Sequence, residues 1–196
     1  GLVVALQKEA DIKHQMMEHL KKQSELIESM IPRLGNTNNT RVNINVFLNE
    51  RCKDAISITD FADSVEIGER GLVFIEKHGL TEGISSVLID ELGKLDTSIR
   101  PIHCTDLKRE TLYIRDNDRW AKECGRQKLN GLIGTVAAKH RDAIPKWEAA
   151  NKGWESSETA TAAYLGYVRS AMESVRENEK EIIIRKIARS TVVSED

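Results

Sequence analysis

Pro101-Ile102-His103-Cys104-Thr105-Asp106-Leu107-Lys108-Arg109-Glu110-Thr111-Leu112-Tyr113-Ile114 is the stretch that decides the fold class. Two β-type runs, 101–104 and 111–114, flank a polar turn, a spacing that predicts a β-hairpin. Helical periodicity lies on both sides of it. Upstream, Val42, Ile44 and Val46 alternate with Asn43 and Asn45, which predicts a short strand. Helices are predicted over 54–65, capped near Thr59-Asp60, and over 72–77, stopped by Gly79. A stronger one, capped at Thr81, carries Ile84, Val87, Leu88, Leu92 and Leu95 at helical spacing. Strand, helices and hairpin follow in the order of a winged-helix unit, placed over 42–117.

Downstream, Asp118 predicts the cap of a helix through Trp120, Cys124, Leu129, Ile133 and Val136, broken or kinked by Pro145 near Ile144. A further helix starts at Ser156 or Ser157. A last helix over 178–189 is read with Ile182, Ile183, Ile187 and Ala188 on its buried side. Residues 118–196 thus form a helical C-terminal region, and the fold class is mainly α, of α+β type.

Residues 2–34 carry the clearest periodicity. Val3, Ala10, Met17, Ser24 and Ile31 form one heptad position, and Leu6, Lys13, Leu20, Ile27 and Leu34 its partner. Only Lys13 and Ser24 are not apolar. So narrow a stripe needs a partner helix, so a self-associating coiled coil is expected, with Val3, Leu6, Ala10, Met17, Leu20, Ile27, Ile31 and Leu34 as contacts. An Asn/Thr-rich linker over 35–41 follows Pro32. The leading Gly1 is read as a cleavage scar, and the chain as a piece of a longer protein.

The chain has 196 residues, 31% charged and 5% aromatic, with a net charge of −2. That balance argues against a strong polyanion binder. Charge is unevenly placed: residues 41–117 hold 10 basic and 14 acidic side chains, residues 118–196 hold 14 and 12. The helix at the recognition position carries Glu82, Asp90, Glu91 and Asp96 against Lys94 alone, which repels phosphate. Candidate nucleic-acid contacts therefore sit on the hairpin, at Arg100, Lys108, Arg109 and Arg115, and after it, at Arg119, Lys122 and Arg126. Cys52, Cys104 and Cys124 form no metal-ligand or redox spacing and are read as reduced, mostly buried thiols. Trp120, Trp147 and Trp154 read as core or interface anchors.

No nucleophile elbow, phosphate loop or HExxH occurs. The expectation is a non-enzymatic chain without cofactor, metal or small-molecule substrate, its partners being copies of itself and, weakly, nucleic acid. The longest apolar run is Leu2–Leu6, far short of a membrane span, and no signal-peptide pattern is present.

Two blocks carry a family likeness. Ile44-Asn45-Val46-Phe47-Leu48-Asn49-Glu50-Arg51-Cys52-Lys53-Asp54-Ala55-Ile56 resembles the NxFLNExCKDAI segment of uncharacterised giant DNA virus proteins of mimivirus and phycodnavirus type, and residues 100–120 are similar to that family almost throughout. The resemblance implies a C-terminal region that often follows a two-Cys two-His zinc finger and a coiled coil. The expected location is the host cytoplasm, the nucleus or the virion, and the chain is read as not secreted for want of a signal-peptide pattern. It brings no activity and no catalytic residues. His103 and Cys104 read as structural residues of the hairpin.

Overall fold

The computed structural model describes residues 44–193. The heptad of 3–34 and the 35–41 linker lie outside the described residues. The described residues form one compact unit, mainly helical with a small antiparallel sheet. Its elements are α1 (Ile44–Val46), continued by a π-helical turn Phe47–Arg51, α2 (Ile58–Ser64), α3 (Glu69–His78), α4 (Leu80–Lys94), β1 (Ile102–Asp106), β2 (Thr111–Asp116), β3 (Arg119–Lys122), α5 (Gln127–Ala150), a 3-10 turn Trp154–Ser156, α6 (Glu158–Ala171) and α7 (Glu177–Ser190).

α4 is the central helix, packed against α3, α5 and α7. Its buried face is Leu80, Gly83, Ile84, Ser85, Leu88 and Leu92. Gly79, at φ +84°, joins α3 directly to α4, a left-handed backbone that favours glycine. Because that link starts the helix at Leu80, Thr81 lies inside α4 and caps nothing. Likewise Ser57 caps α2 in place of the expected Thr59-Asp60: its hydroxyl accepts from the Asp60 N–H at 3.0 Å.

The sheet runs β1-β2-β3, all antiparallel. Pleating sends alternate residues to opposite faces. Ile102, Cys104, Leu112 and Ile114 face the main core with α4, α5 and α7. The other face, with Tyr113 and Trp120, is covered by a second cluster of Phe47, Leu48, Cys52 and Ala55. The residues expected as a strand over 42–46 are, from Ile44 on, helical, and they lead into this strap across the sheet. Phe47 and Leu48 are buried side by side, 5% and 2% exposed, which a half-buried strand of alternating burial could not achieve.

The hairpin is as expected, with Ile102 opposite Ile114 and Cys104 opposite Leu112. The helix expected from Asp118 is not there. Asn117, at φ 51°, makes a tight turn that folds Arg119–Lys122 back as β3. α5 begins only after Gly125 and Arg126, both left-handed. Nor does Pro145 break α5, which continues to Ala150. The proline ring is exposed, while Ile144 and Trp147 anchor the buried side. On α7 the buried side is Ile183, Ile184, Ile187 and Ala188, and Ile182 is 45% exposed rather than buried. After α7 the chain pairs with the outer edge of β1: Cys104 N–H donates to the Thr191 carbonyl at 2.8 Å, and Val193 N–H to the Cys104 carbonyl at 3.0 Å.

Candidate functional site

Segments 44–56 and 100–120 meet between strap and sheet. The π turn carries Cys52 inward and β1 presents His103 on the strap-facing side. The Cys52 Sγ lies 3.5 Å from His103 Nε2. Phe47 meets the imidazole edge-on at a centroid distance of 5.0 Å, and Trp120 lies 5.4 Å from it. Trp120 Nε1 donates to the Cys52 carbonyl at 3.2 Å, and Arg115 Nη2 to the Lys53 carbonyl at 3.0 Å. The strap is thus tied to β2 and β3 through its own backbone.

A cysteine beside a histidine is the arrangement of a thiolate nucleophile, but here the electrostatics run the other way. Cys52 and His103 are 0% and 1% exposed. Burial pushes the thiol up to about 11, against a smaller lowering by Arg51. Burial also pushes the imidazole down to about 4, helped by the positive charge of Arg100. Both groups are neutral near pH 7, whereas an activated cysteine needs a lowered pKa and access. His103 and Cys104, adjacent in sequence, point to opposite faces and do not act together. The sequence signal for the Cys52–His103 pairing was the strand period, which sets His103 apart from its apolar neighbours Ile102 and Cys104.

A second buried histidine, His140 on α5, lies 3.3 Å from Ser170 Oγ, which also donates to the Tyr167 carbonyl at 2.8 Å. His140 Nδ1 is buried without a partner. Burial, then Arg141, lowers the His140 pKa. Among the described residues no acid is hydrogen-bonded to this imidazole, which is 1% exposed, so it resembles a hydrolase dyad only in residue type.

The basic residues predicted to touch nucleic acid divide into two groups. Arg126 is 2.7 Å from Glu110 Oε2 and 3.6 Å from Glu181, and Arg185 holds the other Glu110 oxygen at 2.8 Å. Arg100 Nε donates to the Leu95 carbonyl at 3.1 Å, and Arg115 Nη2 to the Lys53 carbonyl. These three arginines serve the fold. Lys108, Arg109, Arg119 and Lys122 are exposed, and of these only Arg109 has a described ion-pair partner, Asp106. Lys108 and Arg109 occupy the β1–β2 turn and Arg119 the opposite end of the sheet, about 17 Å away along β2 at the usual strand rise.

The clefts hold little chemistry. One, of about 490 Å³, lies between α2 and α5. Lys139 Nζ crosses it to the Asp63 and Val65 carbonyls at 2.6 and 2.9 Å, closing the C-terminal end of α2. Trp147 Nε1 donates to Glu69 Oε1 at its far wall, 3.2 Å away. Lys139, Trp147 and Glu69 are thus committed to structural contacts, while Glu66, Asp142 and Lys146 also line the cleft. Trp147, Trp154, Tyr164 and Tyr167 form one aromatic cluster, with the Trp154 and Tyr164 ring centroids only 4.1 Å apart, so two of the three tryptophans are packing anchors. Cys52 and Cys104 are buried free thiols as expected, while Cys124 is exposed.

Among the described residues no group of three or more His, Cys, Asp or Glu side chains could hold a metal ion, and no helix is long and apolar enough to cross a membrane. Comparison with protein-family models, with characterised proteins and with solved structures gave no match.

Proposed function

We propose that the protein is a non-enzymatic, self-associating interaction module, in which the heptad segment sets stoichiometry and the 42–196 body presents a repeated surface. The observation that carries this reading is the heptad itself, apolar at every seam position of 3–34 except Lys13 and Ser24. The body supports it in kind, because its two histidine pairs are sealed and each is used by packing. The likeness of residues 44–56 and 100–120 to giant DNA virus proteins suggests that the module works inside a viral nucleic-acid-associated protein.

Sedimentation equilibrium tests this reading. The expected mass is an integer multiple, two or more, of 22.1 kDa. Leu20→Asp with Ile27→Asp, which places charge in the seam layers on either side of Ser24, is expected to return it to 22.1 kDa. A wild-type chain that sediments as a monomer would remove the proposal.

A second reading, a DNA-binding regulator or genome-organising protein, is favoured by one observation: Lys108, Arg119 and Lys122 are exposed basic side chains without a described ion-pair partner. The order α2, α3, α4 and hairpin is compatible with a winged-helix unit. However, α4 is packed against three helices and its exposed side is acidic, so contact through the hairpin is the form this reading takes. Binding is then expected at low salt, to weaken steeply toward physiological salt, and to fall further in Lys108→Glu with Arg109→Glu. No electrophoretic shift at low salt would end it for residues 42–196.

A further inference from the structure

Among the described residues seven large apolar side chains stand exposed, and the two most exposed, Leu165 at 56% and Met172 at 84%, sit on α6 and at its C-cap. The inner side of α6 is committed to the body. Tyr167 and Ser170 are buried there, and a Cβ on Gly166 would fall 2.7 Å from the Glu76 side chain of α3. The Met172 backbone is still in the right-handed helical region, so the helical spacing runs on through it. At 100° per residue, Glu158, Ala162, Leu165, Arg169 and Met172 fall on one outward stripe about 21 Å long. All five are exposed.

We infer that this stripe is a contact between two copies of the chain, with their α6 helices antiparallel across a two-fold axis. The order of charges selects a second copy as the occupant. Glu158 and Arg169 lie at opposite ends of the stripe. An axis midway between Ala162 and Leu165 sets Glu158 of one copy opposite Arg169 of the other, twice over, and seats Leu165 on the small Ala162 of its mate. A parallel pairing would instead oppose like charges. The contact is self-complementary, as a two-fold interface must be.

Five residues fall far short of the roughly 800 Å² per partner that a stable complex buries. The contact therefore rests on the proposed self-association through 3–34, which holds the α6 helices at a high effective concentration. It turns a tethered pair of bodies into a pair with a defined mutual orientation.

The test uses the full chain with the exposed thiol removed by Cys124→Ser. Ala162→Cys and Leu165→Cys variants are co-expressed, mildly oxidised and mapped by peptide mass spectrometry. The expected product is an interchain 162–165 disulfide in excess of 162–162 and 165–165 links. Glu158→Arg is expected to reduce it about tenfold, and adding Arg169→Glu to restore it. Restoration distinguishes a paired contact from damage to the helix, because each change alone opposes the helix dipole. An assembled protein without the 162–165 link overturns this inference and leaves the proposed function standing. A link that ignores the charge changes also overturns it. A monomeric mass without the link removes both.

Discussion

Replacing Gly83 by alanine is expected to cost about 3 kcal/mol of folding stability, near the top of the range for overpacking a core. Glycine in mid-helix is ordinarily a defect that alanine repairs by up to about 1 kcal/mol. Here the sign reverses. A Cβ on Gly83 would fall 2.2 Å from Ile75 Cγ1 and 3.1 Å from the Ile75 Cα. Ile75 is 0% exposed, so it has no room to turn away, and the second clash is with backbone. The two helices are joined through Gly79 alone, so α3 cannot slide without dragging α4, the centre of the bundle. The expected fall in melting temperature is about 6–12 °C for a unit of this size. Gly93 lies on the exposed side of the same helix with nothing within 4 Å of its added Cβ. Gly93→Ala is therefore expected to be neutral or slightly stabilising. Urea unfolding of both variants decides the matter: equal midpoints would show that α3 and α4 do not pack through Gly83.

Much of this helical architecture was legible because its signals are local. The hairpin rests on two β-type runs and a polar turn, and Ile102, Cys104, Leu112 and Ile114 landed on one buried face. α4 was visible through its apolar period, and Gly79 through its place between two helical runs. What escaped depended on tertiary partners. Val42, Ile44 and Val46 alternate like a strand, but the adjacent Phe47 and Leu48 are both buried between strap and sheet, and a helical turn brings them onto that one side. β3 escaped because Arg119–Lys122 offers only four residues, and its pairing to β2 depends on the left-handed Asn117. The buried side of α7 was misplaced by one position because Ile182, Ile183 and Ile184 are equivalent until a neighbouring helix chooses among them.

The candidate basic surface was only half legible for a related reason. Charge is visible in a sequence, but its partner is not. Arg126 reads as a surface cation until Glu110 and Glu181, on separate elements, are brought beside it. Glu110 is itself held in a left-handed backbone at φ 48°, where it receives both Arg126 and Arg185. Those contacts, led by the hydrogen bond from Arg185, lower its pKa. Among the described residues Lys108, Arg119 and Lys122 have no ion-pair partner, being exposed on the turn and the edge strand.

Acid is expected to destabilise the body well before its carboxylates titrate. His103 is held down to about 4 by burial first and by Arg100 second, with a hydrogen bond to the Thr97 backbone opposing. Its neighbour Cys52 is neutral and offers no compensating charge. In the unfolded chain the same imidazole titrates near 6.5. Between those values the unfolded state binds a proton that the folded state refuses, so stability falls as the pH falls. The contribution is complete above about pH 6.5 and is lost progressively toward pH 4. For His103 alone it reaches about 3 kcal/mol. His140 is shifted in the same direction, and its orphaned Nδ1 would have to take the proton with no acceptor in reach. Glu110 is also lowered, but an acid group of this kind matters only below its ordinary range. The histidine window is therefore separable from the carboxylate one. Urea midpoints at pH 7.5, 6.0 and 5.0 are expected to drop steadily for the wild type and to drop less steeply for His103→Gln. The difference in slope is the decisive quantity, since it is insensitive to whatever the substitution costs at neutral pH. Parallel slopes would mean that His103 takes up a proton in the folded state as readily as in the unfolded one, and that the strap does not seal it.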